Sequence, residues 1–158
     1  MSSTHKKIIV QKQDRDSMNG YVASASFIVD GKLEMLNTAG QVVGIDLKDI
    51  RCVYFVREFG ETDLLARKTF TTRPRTAGLW VRLRFRDNEM LEGTMPADLT
   101  QTPAEGFLIN PPDLRSNTQR IFVPRTALAG VAVLAVIGAQ KRKRRGVNEI
   151  QEKLFEEQ

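Results

Sequence analysis

Residues 81–93 read VRLRFRDNEMLEG, and this stretch decides how the rest of the chain is interpreted. Successive side chains of a β-strand point to opposite faces, so Val81, Leu83 and Phe85 share one face and the intervening arginines share the other. The Asp-Asn pair at 87–88 is typical of a turn. The stretch therefore predicts a β-hairpin with one apolar face and one cationic face.

A second hairpin is predicted 73 residues earlier, at residues 8–20 (IIVQKQDRDSMNG). Its apolar positions, its acidic turn and its final glycine fall at the same places as in the first stretch. The segments MLN at 35–37 and LIN at 108–110 repeat at the same interval. These matches indicate an internal repeat, and we interpret the chain as two copies of one small β unit.

Each unit reads as short strands with turns at close intervals, which is typical of a small barrel. We therefore predict an all-β fold of two tandem five-stranded small barrels with a C-terminal α-helix. The helix is predicted because apolar residues recur at helical spacing within 146–158. The predicted domains are a first barrel at 7–57, a linker or arm at 58–78, a second barrel at 79–137, and a basic tail with an amphipathic helix at 138–158.

The positive charge of the chain is concentrated in two places. The net charge is +5, and the run from Lys141 to Arg145 carries five positive charges alone. The segment from Arg67 to Arg86 holds seven cations and no acid. A local concentration of one sign matters more for binding than the total does, so both segments indicate a polyanionic partner.

Enzyme and metal-site signatures are missing from the sequence. His5 is the only histidine, which argues against Ser-His-Asp chemistry and most zinc sites. Cys52 is the only cysteine and lies in the apolar run CVYFV, which predicts a buried, reduced thiol. We expect a protein without catalysis, cofactor or metal.

The sequence also gives an expectation for localisation. The N-terminus lacks the apolar segment of a signal peptide. The longest apolar run, residues 127–139, has thirteen residues, fewer than the ~20 that span a bilayer. We therefore expect a cytoplasmic protein without an integral membrane segment.

The arginine row on the predicted hairpin is the best candidate binding site. Side chains two positions apart on a strand are about 6.6 Å apart, close to the phosphate repeat of a single nucleic-acid strand, and the arginine fork matches phosphate oxygens. Alternatively, the row is the solvated face of an edge strand, paired with Asp87, Glu89 and Glu92. The predicted nucleic-acid- or polyanion-binding residues are Arg73, Arg75, Arg82, Arg84, Arg86, Lys141, Arg142, Lys143, Arg144 and Arg145.

Two resemblances bear on fold and function. The segments GKLEMLN (31–37), GFLIN (106–110) and IDLKDIRCV (45–53) resemble strands of Sm-like and SH3-like small barrels. Two such units joined by RPRTAGLWVRLRF (73–85) look like a family of uncharacterised bacterial proteins. The resemblance covers most of residues 7–137 and implies a non-enzymatic module that binds RNA, DNA or peptide.

The second resemblance is to PilZ-like barrels that bind cyclic dinucleotides. Arg82 and Arg86 have the spacing of the arginine pair in that family, and Ser17 to Gly20 supplies part of its turn motif. The order of the two motifs along the chain is reversed, and Arg15 stands where the family has an acid or amide.

The sequence patterns therefore support three functions. The first is a non-enzymatic module that binds nucleic acid or another polyanion through the arginine-rich strand face. The alternative is a protein–protein interaction adaptor, in which the barrel edges and the C-terminal helix would recruit a partner, or the helix a second copy of the chain. The third is a PilZ-like cyclic-dinucleotide sensor.

Overall fold

The computed structural model describes residues 5–23, 27–60, 67–113 and 115–138. The prediction of an all-β fold is confirmed, since the described residues form strands and three single 3₁₀ turns, at Leu47–Asp49, Leu99–Gln101 and Arg125–Ala127. The strands are β1 (His5–Lys12), β2 (Ser17–Ala23), β3 (Ile28–Val29), β4 (Lys32–Asn37), β5 (Val42–Asp46), β6 (Ile50–Val56), β7 (Gly78–Phe85), β8 (Met90–Met95), β9 (Gly106–Ile109), β10 (Thr118–Pro124) and β11 (Leu128–Ile137). No helix in this part of the chain is long and apolar enough to cross a membrane.

The strands form two sheets in which every pair is antiparallel. The larger sheet has the order β3-β4-β2-β1-β6-β10-β9, with β5 added to β4, and the smaller sheet has the order β11-β7-β8. A bridge between Thr94 and Asn110 joins β8 to β9 through two backbone hydrogen bonds of 3.1 and 2.8 Å. The two sheets are therefore in contact along the chain's second half.

The prediction of two tandem five-stranded closed barrels is wrong. β6 pairs with β10, with Val53 opposite Phe122, so one open sheet runs through both predicted barrels. The reason is that all seven residues of β6 are buried, which requires neighbours on both edges and cover on both faces. The C-terminal helix predicted within residues 146–158 lies outside the described part of the chain, and the described residues contain no α-helix.

The described residues form two hydrophobic clusters, and β1 and β6 contribute side chains to both of them. Ile8 and Val10 pack into one cluster with Val53, whereas Ile9 packs into the other cluster with Cys52. Alternate residues of each strand therefore enter different cores. Because each fully buried aliphatic side chain contributes about 1.5–3 kcal/mol, a strand buried on both faces holds the two cores together.

Both predicted hairpins are confirmed, and each carries its glycine at the same register. Gly20 on β2 lies opposite Ile8, and Gly93 on β8 lies opposite Val81. A Cβ atom on Gly93 would lie 2.6 Å from Ile109 Cδ1 and 2.7 Å from the carbonyl oxygen of Asn110. Glycine is therefore needed where β9 approaches β8 closely.

Candidate functional site

The predicted arginine row lies on the outward face of the β11-β7-β8 sheet. Arg82 on β7 is opposite Glu92 on β8, and Arg84 is opposite Met90. Both arginines are exposed, while the alternate residues of β7 enter the core. Arg86 follows the end of β7 directly. The strand thus displays two of the three arginines on one solvated face, as the alternation predicts.

Glu92 is a buried carboxylate that forms an ion pair with Arg82. Glu92 is only 4% exposed, and its Oε2 accepts hydrogen bonds from Arg82 Nη2 at 3.1 Å and from Arg82 Nε at 3.3 Å. Oε1 accepts from Trp80 Nε1 at 3.2 Å and from the backbone N–H of Phe70 at 3.1 Å. A buried carboxylate is tolerated only when it is paired and hydrogen-bonded. Arg82 therefore supports the fold. It pairs with Glu92 as the alternative predicts, although β7 is the central strand of its sheet and Glu92 is buried.

Arg84 and Arg86 keep their positive charge uncompensated. Arg84 Nη1 donates to the side-chain oxygen of Asn88 at 3.4 Å, and Arg86 Nε donates to the carbonyl oxygen of Thr126 at 2.7 Å. Both acceptors are neutral, and neither arginine forms an ion pair with any described residue. Of the three arginines in the row, these two remain able to attract an anion.

The segment before β7, residues 67–76, crosses the outward face and is called the strap here. The carbonyl of Lys68 accepts a 2.7 Å hydrogen bond from the Glu92 N–H at the edge of β8. The Phe70 ring packs edge-on against Trp80 with ring centroids 5.9 Å apart. Arg73 Nη2 then reaches the carbonyl of Val136 on β11 at 3.5 Å. The strap is therefore held at β8, at β7 and at β11.

A groove of about 340 Å³ lies between the strap and the chain around Pro111 and Pro112. Its wall includes Thr94, which is opposite Trp80 and so belongs to the outward face. Arg73 and Arg75 line it, and both are exposed. No acidic side chain is among its described lining residues. The groove thus offers guanidinium groups, hydroxyls and backbone without a competing carboxylate.

A second cluster of charges ties the two halves of the chain together, and the sequence did not reveal it. Arg51 on β6 is 8% exposed, and its guanidinium donates to Asp87 and to Glu89 at 2.7 Å each. Arg15, in the turn after β1, reaches the same carboxylates at 3.1 and 3.0 Å. The only sequence signal was an arginine inside an otherwise apolar strand, which indicates a buried ion pair.

The carboxylates of this cluster are held in their charged form. The hydrogen bond from Arg15, together with the charges of Lys68 and Arg51, lowers the pKa of Glu89. The backbone N–H of Glu89 and then the Arg51 guanidinium lower the pKa of Asp87. The cations of this cluster are therefore matched by acids, unlike those of the groove.

The described residues also contain a cavity of about 220 Å³ beside the ion-pair cluster, lined by Arg51, Cys52 and Tyr54 among others. Burial raises the pKa of the Cys52 thiol to about 12. A thiol with so high a pKa is not a nucleophile at neutral pH, because the thiolate is the reactive form. The predicted burial of Cys52 is confirmed, and the residue is a core group.

The comparisons with known proteins place the chain in one family. A family model described as a family of unknown function, DUF6982, matches residues 4–135. The chain belongs to the DUF6982 family. The searches of the curated proteins and of the solved structures returned no match.

One predicted binding segment of this DUF6982 chain is not described by the structure, and a second predicted motif is not assembled as a pair. The run Lys141 to Arg145 lies outside the described residues. The arginine pair of the PilZ-like motif is divided, since Arg82 bonds to Glu92 and Arg86 bonds to the chain at Thr126. Within the described ranges no group of three or more His, Cys, Asp or Glu side chains is arranged to hold a metal ion.

Proposed function

We propose that this chain is a non-enzymatic module that binds a nucleic acid or another polyanion along the strap and the adjoining outward face. The observation that carries the proposal is the groove bearing Arg73 and Arg75, in which the described lining residues include no acid. Arg84 adds an uncompensated charge on the same face of β7. Phosphate oxygens are the acceptors that the planar guanidinium fork fits best.

The arrangement favours recognition of a backbone over recognition of bases. The two aromatic rings nearest the groove, Phe70 and Trp80, already pack against each other, and the Trp80 N–H is engaged by Glu92. Both rings are therefore engaged within the fold, and Phe70 is the single aromatic residue among the described lining residues of the groove, whereas single-strand binders use several stacking faces. We expect contacts to phosphate, weak sequence preference and strong salt dependence.

The proposed binding residues are Arg73, Arg75, Arg84 and Arg86, with the run Lys141 to Arg145 as a further electrostatic contribution. Arg82 is a positioning residue in this scheme, because its guanidinium neutralises Glu92 and so keeps the strap in place. Replacing Arg82 would therefore weaken binding through the fold and would say nothing about contact with the ligand.

Binding of fluorescently labelled single-stranded RNA, measured by anisotropy across a salt series, tests the proposal. The variant Arg73→Ser/Arg75→Ser should lower affinity and reduce the slope of log K against log[salt] by about 1.4, at ~0.7 per lost phosphate contact. The matched control is Lys32→Ser/Lys48→Ser, which removes the same charge from exposed positions elsewhere. Equal losses in the two variants would show that only net charge matters and would overturn the proposed site.

A protein–protein interaction adaptor stays the second candidate, favoured by exposed apolar side chains on β11. Val131, Val133 and Val136 are all exposed, although they lie on a ten-residue strand. If Val133→Lys leaves RNA affinity unchanged but removes an association between protein chains, the two functions occupy different surfaces.

A further inference from the structure

Two segments of the chain follow the same backbone course. β5 leads through the turn Leu47–Asp49 into β6, and β10 leads through the turn Arg125–Ala127 into β11. Each second strand carries an irregularity at the same place: β6 skips Arg51 in its pairing with β1, and β11 skips Ala129 in its pairing with β7. The two strand–turn–strand segments are therefore equivalent in local structure.

The free edges of these segments are used differently. β6 is paired on both edges, with β1 on one side and β10 on the other. β11 is paired only with β7, and β5 only with β4, among the strands of the described residues. The junction of β6 with β10 is thus made within the chain, whereas its counterpart, β11 with β5, is not.

The two unused edges are apolar and exposed. β11 contains no charged residue, and its Val131, Val133 and Val136 are 42, 55 and 64% exposed. Val42 on β5 is 77% exposed, more than any of these three valines of β11. Natural proteins protect edge strands with charge, proline or cover, because an uncovered apolar edge is a template for another strand.

We propose that β11 of one copy of the chain pairs antiparallel with β5 of a second copy, as β6 pairs with β10 within one copy. Within the chain Val53 lies opposite Phe122. Counting from the two turns, the equivalent register places Val131 opposite Gly44 and Val133 opposite Val42. The pairing covers Val131 and Val133 on one edge and Val42 on the other, and it satisfies backbone groups along the paired parts of both strands.

The charges on the two edges permit this contact. β11 is uncharged, and Asp46 is the single charged residue of β5. Two chains of net charge +5 therefore meet through segments that add no repulsion between cations. The contact joins different surfaces of the two copies, so each copy keeps one edge of each kind for a further neighbour. Such head-to-tail contacts grow until a ring closes or continue as an open chain.

The experiment measures the mass of the full chain by sedimentation velocity over a concentration series, after nuclease treatment and at high salt. The wild-type protein should show masses above the monomer that rise with concentration. Val42→Lys and Val133→Lys should each remain monomeric, because each lacks one edge. An equal mixture of the two variants should reach the mass of two chains and no more, since each variant supplies the edge that the other lacks.

Leu99→Lys is the matched control, because Leu99 is 66% exposed on a 3₁₀ turn and the change adds the same charge. It should assemble as the wild-type protein does. A wild-type protein that stays monomeric at every concentration overturns the proposal. So does a mixture of variants with no gain in mass, or a Val42→Lys protein that still dimerises while Val133→Lys does not, which would pair two β11 edges instead.

Discussion

The two hairpins share a backbone register but cover their second faces by different means. On β1 the second face carries Ile9, which is buried in the cluster that also holds residues of β7 and β8. On β7 the corresponding face carries Arg82, which is exposed and paired with a buried Glu92. One pleated hairpin is thus held by apolar burial on both faces, and the other by a core face and a charge-stabilised strap.

This difference shows where the molecule is free to bind a ligand. The face of β1 that carries Ile9 packs against residues of β7 and β8 in a hydrophobic cluster, so this face is not accessible to a ligand. The face of Arg82 is covered only in part by the strap, which meets it through Glu92 and Trp80. The cationic surface and its groove therefore exist because the second hairpin did not receive an apolar cover.

The largest expected effect is the loss of the Arg82–Glu92 pair. Arg82→Ser leaves the Glu92 carboxylate buried with only two neutral N–H donors, from Trp80 and Phe70. Removing one partner of a buried pair typically costs about 3–5 kcal/mol. Because the Arg82 side chain is itself 44% exposed, we expect the lower end, about 3 kcal/mol, in urea-induced unfolding.

Arg84→Ser is the control for that measurement. It removes a neighbouring charge of the same row, but Arg84 contacts only Asn88 through a long hydrogen bond. An exposed side chain of this kind should change the free energy of unfolding by no more than about 0.5 kcal/mol. Equal effects of the two substitutions would mean that the second face is not held by Glu92.

The next effect concerns the glycines that the hairpins share. Gly93→Ala would drive a methyl group into Ile109 and the Asn110 carbonyl, both within 2.7 Å of the new atom. Gly20→Ala meets the Leu36 carbonyl at 2.7 Å and, more closely, the flexible end of Met35. Overpacking costs about 1–3 kcal/mol, so we expect about 2 kcal/mol for Gly93 and less for Gly20.

Thermal or urea unfolding of the two alanine variants checks this ordering. The stiff, branched Ile109 cannot move aside as the Met35 thioether can. If Gly20→Ala lowers stability more than Gly93→Ala, then β4 approaches β2 more tightly than β9 approaches β8, which contradicts the expected order.

Much of this fold could be predicted from local sequence. The alternation VRLRF gave β7 its two faces, and the Asp-Asn pair gave its turn, because both signals depend only on neighbours in the chain. The run CVYFV also marked a strand buried on both faces. The run lies inside the predicted first barrel at 7–57, and that assignment does not predict a partner for it in the second half of the chain.

The error arose where distant segments meet. The sequence around β6 contains no signal that its second edge pairs with β10, which is more than sixty residues away. Likewise, the facing acid Glu92 was foreseen as a partner of the arginine row, but its burial depends on the strap bringing Phe70 over it. Long-range packing decided which arginine supports the fold and which remain free of carboxylates.

A pH series compares the charged turns of the two hairpins. The second turn carries Asp87 and Glu89, whose pKa values are lowered from their ordinary values of 3.8 and 4.5 by the contacts described above. A carboxylate with a lowered pKa in the folded state binds fewer protons there than in the unfolded chain. Its contribution is therefore present above the ordinary pKa and is lost as the pH falls through the lowered value.

The variant Asp87→Asn/Glu89→Gln should thus be less stable than the wild-type protein at neutral pH, and the gap should narrow as the pH falls below the ordinary values and through the lowered pKa values of the two carboxylates. Thermal unfolding midpoints of both proteins across that range measure the gap. If the charges of Asp87 and Glu89 stabilise the turn, the two unfolding midpoints must converge at low pH, because protonation removes from the wild-type protein the same charges that the variant lacks. A gap that stays constant with pH would show that Arg15 and Arg51 hold the turn by shape alone, and that charge does not link the two hairpins.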